Sequence, residues 1–288
     1  TAKGIFKSFI NGKAVSNDVM TPGWTPYHKR IETLTYDVTS HLNKGENALA
    51  AIVAEGWYSG RIFHPTKQQH MLPMRLLAQL EITFTDGTQK IITSNKDWQS
   101  TNQGPIREAS NYDGEIYDAN FELANWHSAN FNKNLNSDKW KPVVTEPLEE
   151  QVLLKPKRHT AVRETLTIPA IKIVSQENGV TVFDMGQNMV GVPEVNIPVI
   201  KNQQVKLRFA EAIDKGEFSV TNLRSAKATD LYTPSKTGMI RYQPTFTFHG
   251  YQFVELSGYD QTKPPSLDWI KGKVLHSDFE VYDNFTSA

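Results

Sequence analysis

Cysteine is absent from this sequence of 288 residues, which removes a disulfide framework, a thiolate metal site and a cysteine nucleophile together. Neither sign of charge is in excess: 31 Lys+Arg balance 31 Asp+Glu, so no long-range field draws in a phosphate backbone or an anionic membrane surface. Nucleic acid is therefore not an expected partner. No apolar run approaches the ~18 residues a bilayer crossing requires, and Thr1-Ala2-Lys3-Gly4 lacks the charged and apolar regions of a signal peptide. A soluble chain with no membrane partner is expected. The eight histidines contain no His-x-x-His or His-x-x-x-His pair, so metal-ligand spacing is missing. Gly-x-Ser-x-Gly elbows, Walker loops and dinucleotide fingerprints are missing too, which disfavours serine hydrolase, nucleotide and redox chemistry. Long amphipathic stretches are also lacking, which argues against alternating α and β units.

Short strands separated by Gly, Pro and Asn turns are what the sequence has. Ile5 to Ile10, Asn11-Gly12 and Ala14-Val15 form an Asn-Gly hairpin signature, since both turn residues tolerate the positive φ of a tight right-twisting turn. The strand begins so near residue 1 that an earlier partner strand is expected. In Glu32 to Val38, Leu34, Tyr36 and Val38 alternate with Thr33, Thr35 and Asp37, predicting a strand with one buried face. Ala48 to Ala54 reads as a small-residue strand, and Leu76 to Phe84, Asp86-Gly87 and Gln89 to Thr93 as a second hairpin. Helical signals are confined to Ser40–Leu42 and Ala124–Trp126. Three prolines, Pro142, Pro147 and Pro156, lie in a charged, extended segment that reads as a connector, with the boundary between about 145 and 160. The expected fold is all-β: two tandem antiparallel β-sandwich domains, residues 1–150 and 151–288.

Trp24, Tyr27, Trp57 and Tyr58 offer broad rigid faces suited to a sugar ring, and the same side chains are suited to filling a β-core. Glu115 and Asp118, with Asp113 nearby, could converge on sugar hydroxyls or calcium. The other reading has them pair with Arg61 or Arg107 and fasten their loop. A glycosidase needs two carboxyl groups about 5–9.5 Å apart, whereas Glu115 and Asp118 are three residues apart in a strand or turn and would point to opposite faces. His249, beside Gly250-Tyr251, reads as a hydrogen-bonded strand-end residue rather than a catalytic one.

Several segments, in order, carry a more specific signal. These are Thr21-Pro22-Gly23-Trp24-Thr25-Pro26-Tyr27, Gly56-Trp57-Tyr58-Ser59-Gly60-Arg61, Asp97-Trp98, Gly104-Pro105-Ile106 and Gly114-Glu115-Ile116-Tyr117-Asp118-Ala119. Phe183-Asp184-Met185-Gly186-Gln187-Asn188-Met189-Val190-Gly191, Asp230-Leu231-Tyr232, and His249-Gly250-Tyr251-Gln252-Phe253-Val254-Glu255 follow. Together they resemble the two β-domains that precede the catalytic barrel in bacterial α-L-rhamnosidases of glycoside hydrolase family 78. The resemblance implies a jelly-roll module, then a concanavalin-like sandwich that packs on a barrel holding the acid and base carboxylates. It implies hydrolysis of terminal α-L-rhamnosides with inversion by the complete enzyme, rhamnose-containing glycans and the barrel as partners, and a periplasmic or extracellular site. No catalytic residue is expected within these residues. The sugar-binding candidates are Trp24, Tyr27, Trp57, Tyr58, Arg61, Glu115 and Asp118. Some family members carry a calcium-dependent rhamnose-binding module here, so calcium is a possible cofactor, although no strict acidic loop spacing marks its ligands. The alternative is a stand-alone lectin-like β-sandwich.

Overall fold

The computed structural model describes residues 1–62, 73–131 and 138–280. The Asn11-Gly12 turn forms as its residue types require, with φ of 52° and 84°, pairing Phe9 with Ala14 and Ile10 with Lys13. Ile5–Ile10 also pairs antiparallel with Leu49–Ala54 along its whole length. The second hairpin joins Gln79–Thr83 to Gln89–Thr93, but its turn is longer than two residues. Phe84 donates to and accepts from the far side of the loop, Asp86 Oδ1 accepts from the Thr88 amide at 2.9 Å, and Gly87 alone takes positive φ.

The segment 32–38 departs from its expected strand. Regular pairing covers only Arg30–Thr33, parallel to Leu153–Pro156. Leu34, Tyr36 and Val38 are nevertheless half-buried while Thr35 and Asp37 are exposed. The alternation is real, but a ladder partner is replaced by side-chain ties: Tyr36 donates to Asp18 at 2.9 Å, and Asp37 accepts from the Thr39 amide, turning the chain.

A ten-stranded sheet dominates the rest. Its order is Ile106–Ser110, Gly114–Asp118, Thr229–Thr233, Val205–Ala210, His249–Ser257, Val180–Val199, Ile270–Ser277, Val162–Pro169, with Lys172–Glu177 and Gly238–Tyr242 also paired to Val180–Val199. All of these pairings are antiparallel except that of Gly114–Asp118 with Thr229–Thr233. The sheet thus takes strands from both sides of the proline-rich 145–160 segment. The 20-residue strand pairs with four neighbours, and its register against His249–Ser257 shifts between Asp184 and Met189, where Gly186 has φ 82°. Further along, a Cβ on Gly191 would lie 2.2 Å from the Lys273 carbonyl oxygen, so only glycine permits that approach.

The main core fills one face of this sheet, with Phe183, Phe209, Leu207, Leu256, Ile197, Ile270 and Tyr251 fully enclosed. A smaller cluster of Ile5, Met20, Ala54 and Ala109 includes Phe246 from the connection between Gly238–Tyr242 and His249–Ser257. That phenylalanine ties the amino-terminal strands to the large sheet. In the main core the Tyr251 hydroxyl is buried without a hydrogen-bond partner among the described residues, which burdens the fold with the desolvation of a hydroxyl. Tyr251→Phe is expected to leave the thermal midpoint unchanged or raise it. A clear drop in a melting scan would mean that the hydroxyl has a partner.

Candidate functional site

The densest polar chemistry lies where Gly114–Asp118 joins Thr229–Thr233. Arg61 and Asp113 are both largely buried, at 7% exposure each. The guanidinium engages both carboxylate oxygens, Nε to Oδ2 at 2.9 Å and Nη2 to Oδ1. It also donates to the Ser225 carbonyl and, at 3.3 Å, to the Ser225 hydroxyl, while lying 4.6 Å from the centre of the Tyr112 ring. Burial pushes the Asp113 carboxyl up, but the hydrogen bond and charge of Arg61, helped by Lys227, outweigh it and hold the group below its ordinary range. One forked cation thereby fastens three segments distant in sequence.

Next to this clamp, Glu115 is completely enclosed. Tyr242 donates to Oε1 at 3.0 Å, and the amides of Thr245 and Phe246 donate to Oε2 at 3.0 and 3.2 Å. Its own amide donates to Asp230 Oδ1 at 2.8 Å, and Asp230 is held in turn by His249 Nε2, 3.1 Å from both oxygens. The His249 ring stacks on Phe209 at 4.0 Å. Burial pushes Glu115 up to about 7; the Thr245 amide opposes this, the Asp230 charge adds to it, and the Phe246 amide and Tyr242 pull it back. His249 is a hydrogen-bonded strand-end residue, as its lone position suggested.

The other candidates separate into interior and surface. Tyr27 and Tyr58 are brought together edge to face, 5.1 Å and 77° apart, inside a cluster with Ile31 and Val152. Trp57 is half-buried, against the cluster containing Ile5 and Phe246 and 6.5 Å from the Phe248 ring. Tyr27, Tyr58, Arg61 and Glu115 thus turn inward, because each completes a core or a buried polar cluster rather than a solvent-facing surface. Asp118 caps the short turn Ala119–Phe121, accepting from the Asn120 amide at 2.9 Å. Trp24 stands apart at 60% exposure.

No calcium cage arises from Asp113, Glu115 and Asp118. The first is taken by Arg61, the second by three donors, and the third by Asn120. Among the described residues no group of three or more His, Cys, Asp or Glu is placed to hold a metal. Glu115 and Asp118 do not form a glycosidase pair either, since one is sealed and the other caps a turn. The carboxyl group that does lie beside Glu115 is Asp230, equally enclosed and out of reach of a glycan. Its partnership could not be read from spacing, since 115 residues separate it from Glu115; the only hint was that both stand in family-like segments.

Comparison with known proteins gives this geometry a context. The α-L-rhamnosidase N-terminal domain family matches residues 1–165, and the bacterial α-L-rhamnosidase concanavalin-like domain family matches residues 174–276. The chain is 51% identical over its whole length to an α-L-rhamnosidase of Alteromonas sp. (strain LOR), of which it covers 31%. It is 43% identical, again over its whole length, to one from Formosa agariphila, of which it also covers 31%. The crystal structure of Streptomyces avermitilis α-L-rhamnosidase complexed with L-rhamnose superposes with a TM-score of 0.89 at 40% identity, over 96% of this chain and 26% of that one. The chain therefore spans less than a third of the length of these relatives. No helix among the described residues is long and apolar enough to cross a membrane. Of the groups buried at the strand junction, Glu115 thus lies in the first matched region and Asp230 and His249 in the second, and the chain belongs to the α-L-rhamnosidase N-terminal domain family, with the concanavalin-like domain of the bacterial enzymes following in the same all-β molecule.

Proposed function

We propose that this chain is the non-catalytic amino-terminal β-part of an α-L-rhamnosidase, a glycoside hydrolase that releases terminal α-L-rhamnose with inversion. The observation that carries the reading is identity along the entire chain to enzymes three times its length. The enclosed carboxylates support it, because neither Glu115 nor Asp230 can reach a glycosidic bond. In this reading the two β-regions support a catalytic barrel supplied by the rest of the enzyme. The complete protein works on rhamnose-containing glycans in the periplasm or outside the cell.

Sugar contact within this chain is assigned to Trp24, whose exposed ring can stack on the apolar face of a pyranose. Tyr27 and Tyr58 back its segment from inside, and Trp57 and Arg61 brace the neighbouring core. The chain alone, incubated with a chromogenic α-L-rhamnoside, is expected to release no chromophore above the buffer rate. Turnover would overturn the assignment. In parallel, L-rhamnose should change the tryptophan fluorescence of the native chain and not that of Trp24→Ala; an identical response from both removes Trp24 from the sugar contact.

A further inference from the structure

We propose that Asn178 is a site of spontaneous covalent modification, converting to aspartate and isoaspartate, and that the fold protects Asn11, which stands in the same dipeptide. The sequence contains two Asn-Gly pairs, Asn11-Gly12 and Asn178-Gly179. Both form two-residue hairpin turns with positive φ, 52° and 84° in the first, 52° and 77° in the second. Glycine makes each pair reactive, because no Cβ shields its nitrogen from the asparagine side chain.

The chemistry needs only water. The Gly179 nitrogen attacks the Asn178 Cγ; the N–Cγ bond forms, the Cγ–Nδ2 bond breaks, and the side-chain nitrogen leaves as ammonia with the proton lost from the glycine N–H. Water then opens the five-membered imide at either carbonyl. One opening gives aspartate, and the other routes the main chain through the side chain as isoaspartate. Ring closure therefore requires an asparagine side chain that can leave its partners and a glycine nitrogen that can swing toward it, which in a tight turn means local opening.

At the first turn both groups are held. Asn11 Nδ2 donates to the His41 carbonyl at 2.9 Å and to Asn47 Oδ1 at 2.7 Å, and Asn11 Oδ1 accepts from the Ala48 amide at 2.9 Å. The Gly12 amide, which would have to attack, donates to the His127 carbonyl at 2.8 Å. At the second turn neither group is held. Asn178 is exposed, and among the described residues no hydrogen bond engages its side chain or the Gly179 N–H. Beyond the strand pairing of Glu177 with Val180, one tie restrains this turn, from Gln261 Nε2 to the Gly179 carbonyl at 3.2 Å. Isoaspartate lengthens the main chain by a methylene where Glu177 must meet Val180, and either product sets a new carboxylate beside that of Glu177, so conversion loosens this end of the Lys172–Glu177 hairpin.

Peptide mapping of the intact chain held in warm, mildly alkaline buffer tests this, read by the mass gain of OH replacing NH2 and by enzymatic methylation of isoaspartate. Four hydrogen bonds must break at the first turn against one at the second, so Asn178 should convert about tenfold or more faster than Asn11. In concentrated urea the two rates should draw together, since the dipeptide is the same and the fold no longer distinguishes them. Equal rates in the folded chain, or a disparity that survives urea, overturns the proposal.

Discussion

Arg61→Ala is expected to lower the free energy of unfolding by about 3–5 kcal/mol, the usual loss when one partner of a buried ion pair is removed and the other is left stranded. The side chains of Arg61 and Asp113 are both about nine-tenths buried, so solvent screening is weak and little water is available to compensate. The loss also exceeds a single pair, because the same guanidinium holds the Ser225 carbonyl and covers the Tyr112 ring. Asp113→Ala should cost a similar amount, since it leaves the cation enclosed. Arg61→Met combined with Asp113→Leu should cost much less than the two alanine changes added together, because no charge then remains buried. Urea unfolding of the three variants measures this. A loss below about 1 kcal/mol for Arg61→Ala would place the guanidinium in solvent and dissolve the clamp.

The two buried carboxyl groups respond to acid in opposite directions. Asp113 is held below its ordinary value, so its stabilisation is present above that value and is lost as the pH falls through the depressed one. Burial holds Glu115 above its ordinary value, so its contribution to stability is present on the acid side and is lost as the pH rises through about 7.

Local chemistry is what the sequence made legible. Asn11-Gly12 dictated its turn because few residue pairs accept two positive φ values. Ala48 to Ala54 found its partner in Ile5–Ile10. The all-β class and the family followed from turns and segments of this kind. Leu34, Tyr36 and Val38 show the boundary of such reading: their alternation reported burial correctly, but whether a ladder partner exists is a non-local fact. The candidate site was less legible for the same reason. An aromatic or acidic residue looks alike whether it faces a glycan or a core, and only the arrival of Val152 beside Tyr27, or of Tyr242 beside Glu115, decides. Those partners lie 125 and 127 positions away in the chain.

The junction rests finally on a glycine. Gly114 opens its strand with φ 109°, and a Cβ there would lie 2.1 Å from the Thr229 carbonyl oxygen and 2.7 Å from Asp230 Oδ1. The first atom is backbone and the second is fixed by the Glu115 amide and His249, so neither can retreat without breaking the parallel pairing. Gly114→Ala is expected to cost about 4 kcal/mol or more, in the range reached only when strain and packing fail together. Gly45 separates the two contributions: its φ is 93° and a Cβ there meets nothing within 4 Å, so Gly45→Ala carries conformational strain alone, about 1–3 kcal/mol. Urea midpoints of the two alanine variants should therefore differ widely. Equal midpoints would mean that Gly114–Asp118 does not approach Thr229–Thr233 this closely. The enclosure of Glu115 depends on that approach.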